Sequence, residues 1–324
     1  MFSSDHQAIL VTAGSGNIGT RLIPLLINDS SKPKIIVPTS DSAKLLSLIP
    51  SASGEQVVLE EGNIKDPRWF QSTISKHSVT SVFLCLTGSD ELFTTMNCFD
   101  ILIKSPSVKH LVYLSACGDY SPSSLIDSGM MQAMCASHVA VKFLLEAKLR
   151  HGLPSNSLTY TILGPSLFFS NDIRSKDSLL EKGFYAEPLG SKGVSRVDTS
   201  DIALGAYNAL KDQGRKHGGR KFMIGSLKTY TNVEIADLWS NGLGRDVEVA
   251  GSDMESLETF ETHMSSSIGP AWGRDMRLMY ELFETVGLGM SEDDYESQVE
   301  LLGKEPEDYA QFVKDTAKSW LEAR

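Results

Sequence analysis

Short apolar runs alternate with amphipathic segments through the first half of this chain. Near-continuous apolar stretches at Ala8–Thr12, Lys34–Pro38, Gln56–Glu60, Ser81–Leu86 and His110–Ser115 read as strands. Between them, Ile18–Asn28, Asp41–Leu48, Asp66–Lys76 and Glu91–Lys104 carry helical periodicity. A sixth strand, Tyr160–Leu163, follows one long helix predicted from Met130 to Arg150. Strands that are apolar on both faces and separated by helices predict an α/β fold with a doubly wound parallel sheet. Such a sheet binds ligands outside the carboxyl ends of its strands. The loops at 13–19, 38–41, 62–66, 87–90, 115–121 and 164–171 are therefore where chemistry is expected.

After Gly164-Pro165 the pattern changes: Gly, Ser and Pro interrupt shorter segments up to Val194. Ser195–Val197 and Lys221–Gly225 read as returns to the sheet around a helix at Ser200–Lys211. The remainder is mostly helical, at Asn232–Ser240, Asp253–Met264, Asp275–Val286, Glu292–Leu302 and Glu307–Leu321. This predicts a sheet domain from 1–164 and 196–225, and a smaller substrate-binding lobe from 165–195 and 226–324.

The first strand breaks into Thr12-Ala13-Gly14-Ser15-Gly16-Asn17-Ile18-Gly19, a strand-to-helix turn with three glycines. Gly14 is expected to permit the turn, Gly16 to let backbone approach a pyrophosphate, and Gly19 to let helix and strand pack closely. Phosphates would sit on the unpaired N–H groups and positive end of the helix.

Composition narrows the rest. With 324 residues, 41% hydrophobic and 22% charged, the chain has the balance of an ordinary globular protein. A formal net charge of −11 argues against nucleic-acid and anionic-membrane partners. Cys85, Cys98, Cys117 and Cys135 show no metal spacing and read as buried, reduced thiols. Met1 to Gln7 lacks the apolar core of a signal peptide, and no run approaches the roughly 18 apolar residues of a membrane span. A cytoplasmic protein is expected. His6, His77, His110, His151, His217 and His263 make no metal-ligand spacing, and no G-x-S-x-G elbow occurs, so no metal site or serine hydrolase is expected.

The glycine turn, Gly62-Asn63-Ile64-Lys65-Asp66, Leu153-Pro154 with Tyr160–Pro165, Phe168, Phe169 and Asn171, and Val197-Asp198 with Asp201-Ile202-Ala203 together resemble the NmrA-like family, atypical short-chain dehydrogenase/reductases. The resemblance covers nearly the whole chain, and the tail from Val286 resembles fungal members. It implies a Rossmann core, NAD(P) binding and a small C-terminal substrate lobe, in a family holding both reductases and redox-sensing regulators. The cofactor contacts it implies are Thr12, Gly14, Ser15, Gly16, Asn17, Ile18, Gly19, Asn63, Ile64, Leu86, Thr87, Gly88, Lys142, Pro165 and Phe168.

Four departures from the pattern matter. Ala13 replaces the first glycine and crowds the turn. Asn63 replaces the aspartate that meets the adenine amine, and its amide oxygen still accepts that bond. Pro38-Thr39-Ser40 stands where an acid would select NAD and an arginine NADP. Thr39 and Ser40 offer donors for a 2′-phosphate with Lys44 as counter-charge, while the same stretch also reads as a plain helix start capped by Ser40 or Asp41. The slight preference is for NADP(H) over NAD(H). Lastly, the Tyr-x-x-x-Lys of related enzymes is absent, and His138-x-x-x-Lys142 stands at the matching place on one helix face.

Lys142 then holds the nicotinamide ribose, His138 or Tyr120 supplies a proton, and Ser115 polarises the acceptor. Both residues of the pair also have plain structural readings. Tyr113 reads as packing, and Phe168, Phe169, Trp272 and Met276 either line an apolar pocket or form core. The expected activity is an NAD(P)H-dependent oxidoreductase reducing C=O or C=C in a small hydrophobic molecule, in secondary metabolism, working as a monomer or homodimer. The alternatives are a redox-sensing regulator that binds dinucleotide without turnover, and a redox-neutral isomerase or cyclase using the same cleft.

Overall fold

The structure is a computed structural model, and it describes residues 7–127, 129–154 and 158–323; His6 lies outside them. Strands β1 (Ala8–Val11), β2 (Lys34–Thr39), β3 (Val57–Glu61), β4 (Ser81–Leu84), β5 (His110–Leu114) and β6 (Thr159–Pro165) alternate with helices α1 (Gly19–Asn28), α2 (Ser42–Leu48), α3 (Pro67–Lys76) and α4 (Glu91–Lys104). Helices α5 (Pro122–Asp127), α6 (Met130–Ala133) and α7 (Ser137–His151) lie between β5 and β6. Beyond these come β7 (Leu167–Phe168), α8 (Lys176–Lys182), β8 (Phe184–Tyr185), β9 (Val194–Val197), α9 (Thr199–Asp212), β10 (Arg220–Ile224) and β11 (Thr229–Tyr230). The chain continues through α10 (Asn232–Leu243), β12 (Glu248–Val249), α11 (Met254–Ile268), α12 (Pro270–Val286), α13 (Glu292–Leu302) and α14 (Tyr309–Glu322).

Seven strands form one parallel sheet in the order β10-β6-β5-β4-β1-β2-β3. The strands read as continuous apolar runs because both faces are covered. Ile9 and Val11 point into one core with Leu22 and Leu26 of α1 and Ala206 of α9. Ala8 and Leu10 point into the other, with Phe70 of α3, Phe99 of α4 and Leu145 of α7. The strand order reverses beside β1, between β2 and β4. The glycine turn and the loop after β4 therefore face one crevice.

Two of the expected elements need correction. The long helix from Met130 to Arg150 is two helices, interrupted at Met134–Ala136. The N-terminus of α7 is held there by a distant carboxylate: Ser137 donates its N–H and its Oγ to Asp275 Oδ1, each at 2.6 Å. Ser195–Val197 does not rejoin the main sheet. Strand β9 pairs with β7 and β11 in a separate three-stranded sheet, while Lys221 and its neighbours do rejoin, beside β6.

A second core gathers Leu179, Tyr185, Trp239, Phe260, Tyr280 and Trp320 from the later helices and short strands. Helices α11 and α12 form an antiparallel hairpin about Gly269, whose φ of 91° is open to glycine and strained for other residues. Helix α13 packs on α9 and β10: Leu301 enters the sheet core, and the Gln298 amide bonds both the N–H and the C=O of Gly225 at 2.7 Å. No helix among the described residues is long and apolar enough to cross a membrane. Of the cysteines, Cys98 and Cys117 are buried and Cys85 half-buried, but Cys135, expected inside, is exposed beside the break before α7.

Candidate active site

The glycine turn differs from the sequence reading in which residue carries the strain. Ala13, not Gly14, takes the left-handed conformation, with φ of 52°. The residue is exposed, so an alanine is tolerated where glycine would cost less. Gly14 is needed for packing: a Cβ there would lie 2.4 Å from Val37 Cγ1. At Gly19 a Cβ would lie 2.4 Å from the Ala13 carbonyl oxygen. Gly16 closes the turn, its N–H donating to Ala13 O at 2.9 Å. The N–H groups of Asn17 and Ile18 make no backbone bond among the described residues and stand at the start of α1. These free donors at a helix N-terminus suit a pyrophosphate, so the residues present fit a dinucleotide.

One end of the crevice is a hollow of about 290 Å³, lined by Thr12, Ala13, Thr39, Ser40, Asn63 and Ile64 among others. Among the described residues, none with a carboxylate lines it. Thr12 is buried and ties β1 to β4, its hydroxyl donating to Phe83 O and Cys85 O at 3.1 Å. Asn63 Oδ1 already accepts from Lys65 N at 3.0 Å, leaving one lone pair for another donor. Asp41 caps α2 by accepting from Lys44 N, so the helix-start reading of this segment holds. Ser15 is exposed on the turn and Ile18 is buried beneath it. The Lys44 side chain is outside the hollow's lining. Gly88 lines a neighbouring hollow of about 370 Å³ that reaches Asp275.

The other end is a cavity of about 520 Å³ between the sheet domain and α12. It runs from Asn17 past Leu86 and Thr87, which also line the first hollow. Ser115, Tyr120, His138, Lys142, Pro165 and Phe168 all line it, with Trp272 and Met276 from α12. Phe169 does not; it is buried in the second core against Tyr309. Two elements that the sequence separates widely therefore meet here.

The chemistry of each side chain follows from its partners. Lys142 is buried and pairs with Glu91, also donating to Leu114 O at 3.4 Å. Burial pushes the Glu91 carboxyl up, with Lys142 opposing. Its second oxygen is buried without a hydrogen-bond partner. His138 Nδ1 pairs with Asp275 of α12, and its ring lies 5.8 Å from that of Trp272. Burial works to raise the Asp275 carboxyl, but bonds from His138 and Ser137 outweigh it and hold the group down at about 2.

Ser115 and Tyr120 are not free to donate as the sequence suggested. Ser115 gives its proton to Glu146 Oε1 at 2.5 Å, and Glu146 is held by Lys221 at 2.7 Å and Arg150 at 3.1 Å. Its hydroxyl is left an acceptor toward the cavity. Tyr120 donates to Cys117 O at 2.9 Å, packs on Phe143 and has Lys221 3.8 Å from its ring centre. Burial drives that phenol far above its usual range. Tyr113 is fully buried against Phe99, as packing requires.

Glu91, Asp275, Glu146 and Lys221 escaped the sequence reading. Glu91 carried one signal, an acid on the apolar face of α4. Asp275 carried none, since its partners come from another helix. Among the described residues no cluster could hold a metal ion.

Comparison with known proteins gives consistent relatives. The profile of the family described as NAD(P)H-binding matches residues 13–212. A curated relative, the NAD(P)H azoreductase of Xenophilus azovorans, is 25% identical over 308 residues, 95% of this chain and 91% of the relative. The triphenylmethane reductase of Citrobacter sp., solved with NADP(H), superposes with a TM-score of 0.73 at 18% identity, covering 95% of this chain and 99% of that one. The negative transcriptional regulator NmrA, solved with NADP, gives 0.68 at 15% identity over 98% of this chain and 97% of that one.

Proposed function

This chain belongs to the NAD(P)H-binding family, and from that premise we propose that it is an NAD(P)H-dependent oxidoreductase reducing an uncharged, flat, hydrophobic molecule. The observation that carries the proposal is the cavity of about 520 Å³. It opens from the glycine turn, holds one histidine that can serve a proton at its wall, and is otherwise largely apolar. Its charged lining residues are each paired: Lys142 with Glu91, His138 with Asp275, and Arg174 with Glu187 at 3.0 and 3.1 Å. A charged substrate would find no free counter-charge there. The relative named as an azoreductase favours an acceptor of this kind.

Asn17, Ile18 and the exposed edge of the turn would hold the pyrophosphate, and Lys142 on the cavity wall would hold the ribose hydroxyls. When bound, the reduced nicotinamide supplies a hydride. His138 supplies the matching proton from Nε2. Ser115 accepts a hydrogen bond from the substrate and orients it. At the far end, Thr39 and Ser40 favour a 2′-phosphate, since no acid lines that hollow to receive ribose hydroxyls.

Titrating the purified protein with NADPH, NADH, NADP⁺ and NAD⁺ while following tryptophan fluorescence tests the binding. Trp272 stands on the cavity wall as a reporter. Micromolar binding of NADPH, tighter than NADH, is expected. Failure of all four to bind would refute the proposal.

A further inference from the structure

Resting on that reading of His138, we propose that Asp275 is a positioning residue that fixes the His138 tautomer across the interface between the sheet domain and the smaller lobe. Three groups converge on this carboxylate: Ser137 N–H and Ser137 Oγ on Oδ1, each at 2.6 Å, and His138 Nδ1 on Oδ2. An ionised carboxylate only accepts, so Nδ1 must carry a proton. Nε2 is then the lone-pair nitrogen of the neutral ring and the second acid of the protonated one. The ring that carries it lines both the large cavity and the hollow beside it.

The surrounding geometry suits positioning as well as capping. The Asp275 side chain is only 12% exposed and His138 23%, so water competes weakly for either bond. Asp275 sits one turn beyond Trp272 and next to Met276 on α12, both on the cavity wall. The same helix therefore both walls the cavity and sets the histidine. A cap alone needs Oδ1; the second oxygen is committed to the ring.

Asp275→Asn separates the two roles. Its Oδ1 keeps the cap on Ser137, while its amide donates to Nδ1 and moves the ring proton to Nε2. The test labels the histidine rings with ¹⁵N in the purified protein at pH 8 and identifies His138 by its loss in His138→Gln. Wild type is expected with Nδ1 protonated, and Asp275→Asn with Nε2 protonated. With a naphthoquinone as acceptor, NADPH oxidation is expected to lose about 100-fold in kcat by the tautomer argument, with KM for NADPH and melting temperature little changed. Asp275→Glu, which keeps a carboxylate, is expected to keep the wild-type tautomer even if Asp275→Asn fails to fold. An unchanged tautomer in Asp275→Asn, or a wild-type protein already protonated at Nε2, would overturn the inference. Full activity in His138→Gln would instead remove His138 as the acid, and the ring spectra would still decide what Asp275 does.

Discussion

Alanine at Gly19 is expected to weaken NADPH binding by at least about 100-fold, which corresponds to about 2.7 kcal/mol. The added Cβ would stand 2.4 Å from Ala13 O and 2.7 Å from both Gly14 Cα and Gly14 O. All three are backbone atoms, so no side chain can swing aside. The turn itself must move, and with it the free N–H groups of Asn17 and Ile18. Overpacking of this kind also costs about 1–3 kcal/mol of stability. Isothermal calorimetry with NADPH reads the first effect and thermal melting the second. Binding within a few-fold of wild type would mean that the pyrophosphate is not held at this turn.

Replacing His138 with glutamine is expected to leave NADPH affinity within a few-fold of wild type. Turnover should fall by a factor on the order of 10² to 10⁴, the range for loss of a positioned acid. Two hydroxyls near the reacting end are committed: Ser115 to Glu146 and Tyr120 to Cys117 O. Lys142 is committed to Glu91. Of these four candidates, that leaves His138 to deliver a proton. Steady-state kinetics with NADPH and a naphthoquinone measure the loss. A change in KM for NADPH with kcat intact would assign His138 to cofactor binding instead.

The parts legible in the sequence are those decided locally. Strands such as Ile9–Val11 and Ile35–Val37 must be apolar on both sides because helices cover both faces. The glycine spacing fixes a turn whose packing leaves no room for a side chain at Gly14 or Gly19. What stayed hidden depends on partners far along the chain. The apolar pattern of Met130–Arg150 continues through the break, which is set by a carboxylate 138 positions away from Ser137. Strand β9 is buried and β-branched at its ends, so its pattern cannot say which sheet it joins. Ser115 and Tyr120 sit where the sequence put them, on the cavity wall. Their hydroxyl directions follow from Glu146 and the Cys117 carbonyl, which only the folded chain brings near.

Hydride transfer is the most direct test of the whole account. The protein is loaded with NADPH carrying deuterium at the transferable position of the nicotinamide. It is then mixed with an uncharged azo dye, an uncharged aromatic ketone and a naphthoquinone in turn. For at least one acceptor, oxidation of the cofactor is expected to match acceptor reduction at one NADPH per two electrons gained, with a slower rate for the deuterated cofactor where transfer limits turnover. Bound NADPH that stays reduced against all three would contradict an oxidoreductase of flat hydrophobic acceptors and point to a protein that binds the dinucleotide without consuming it.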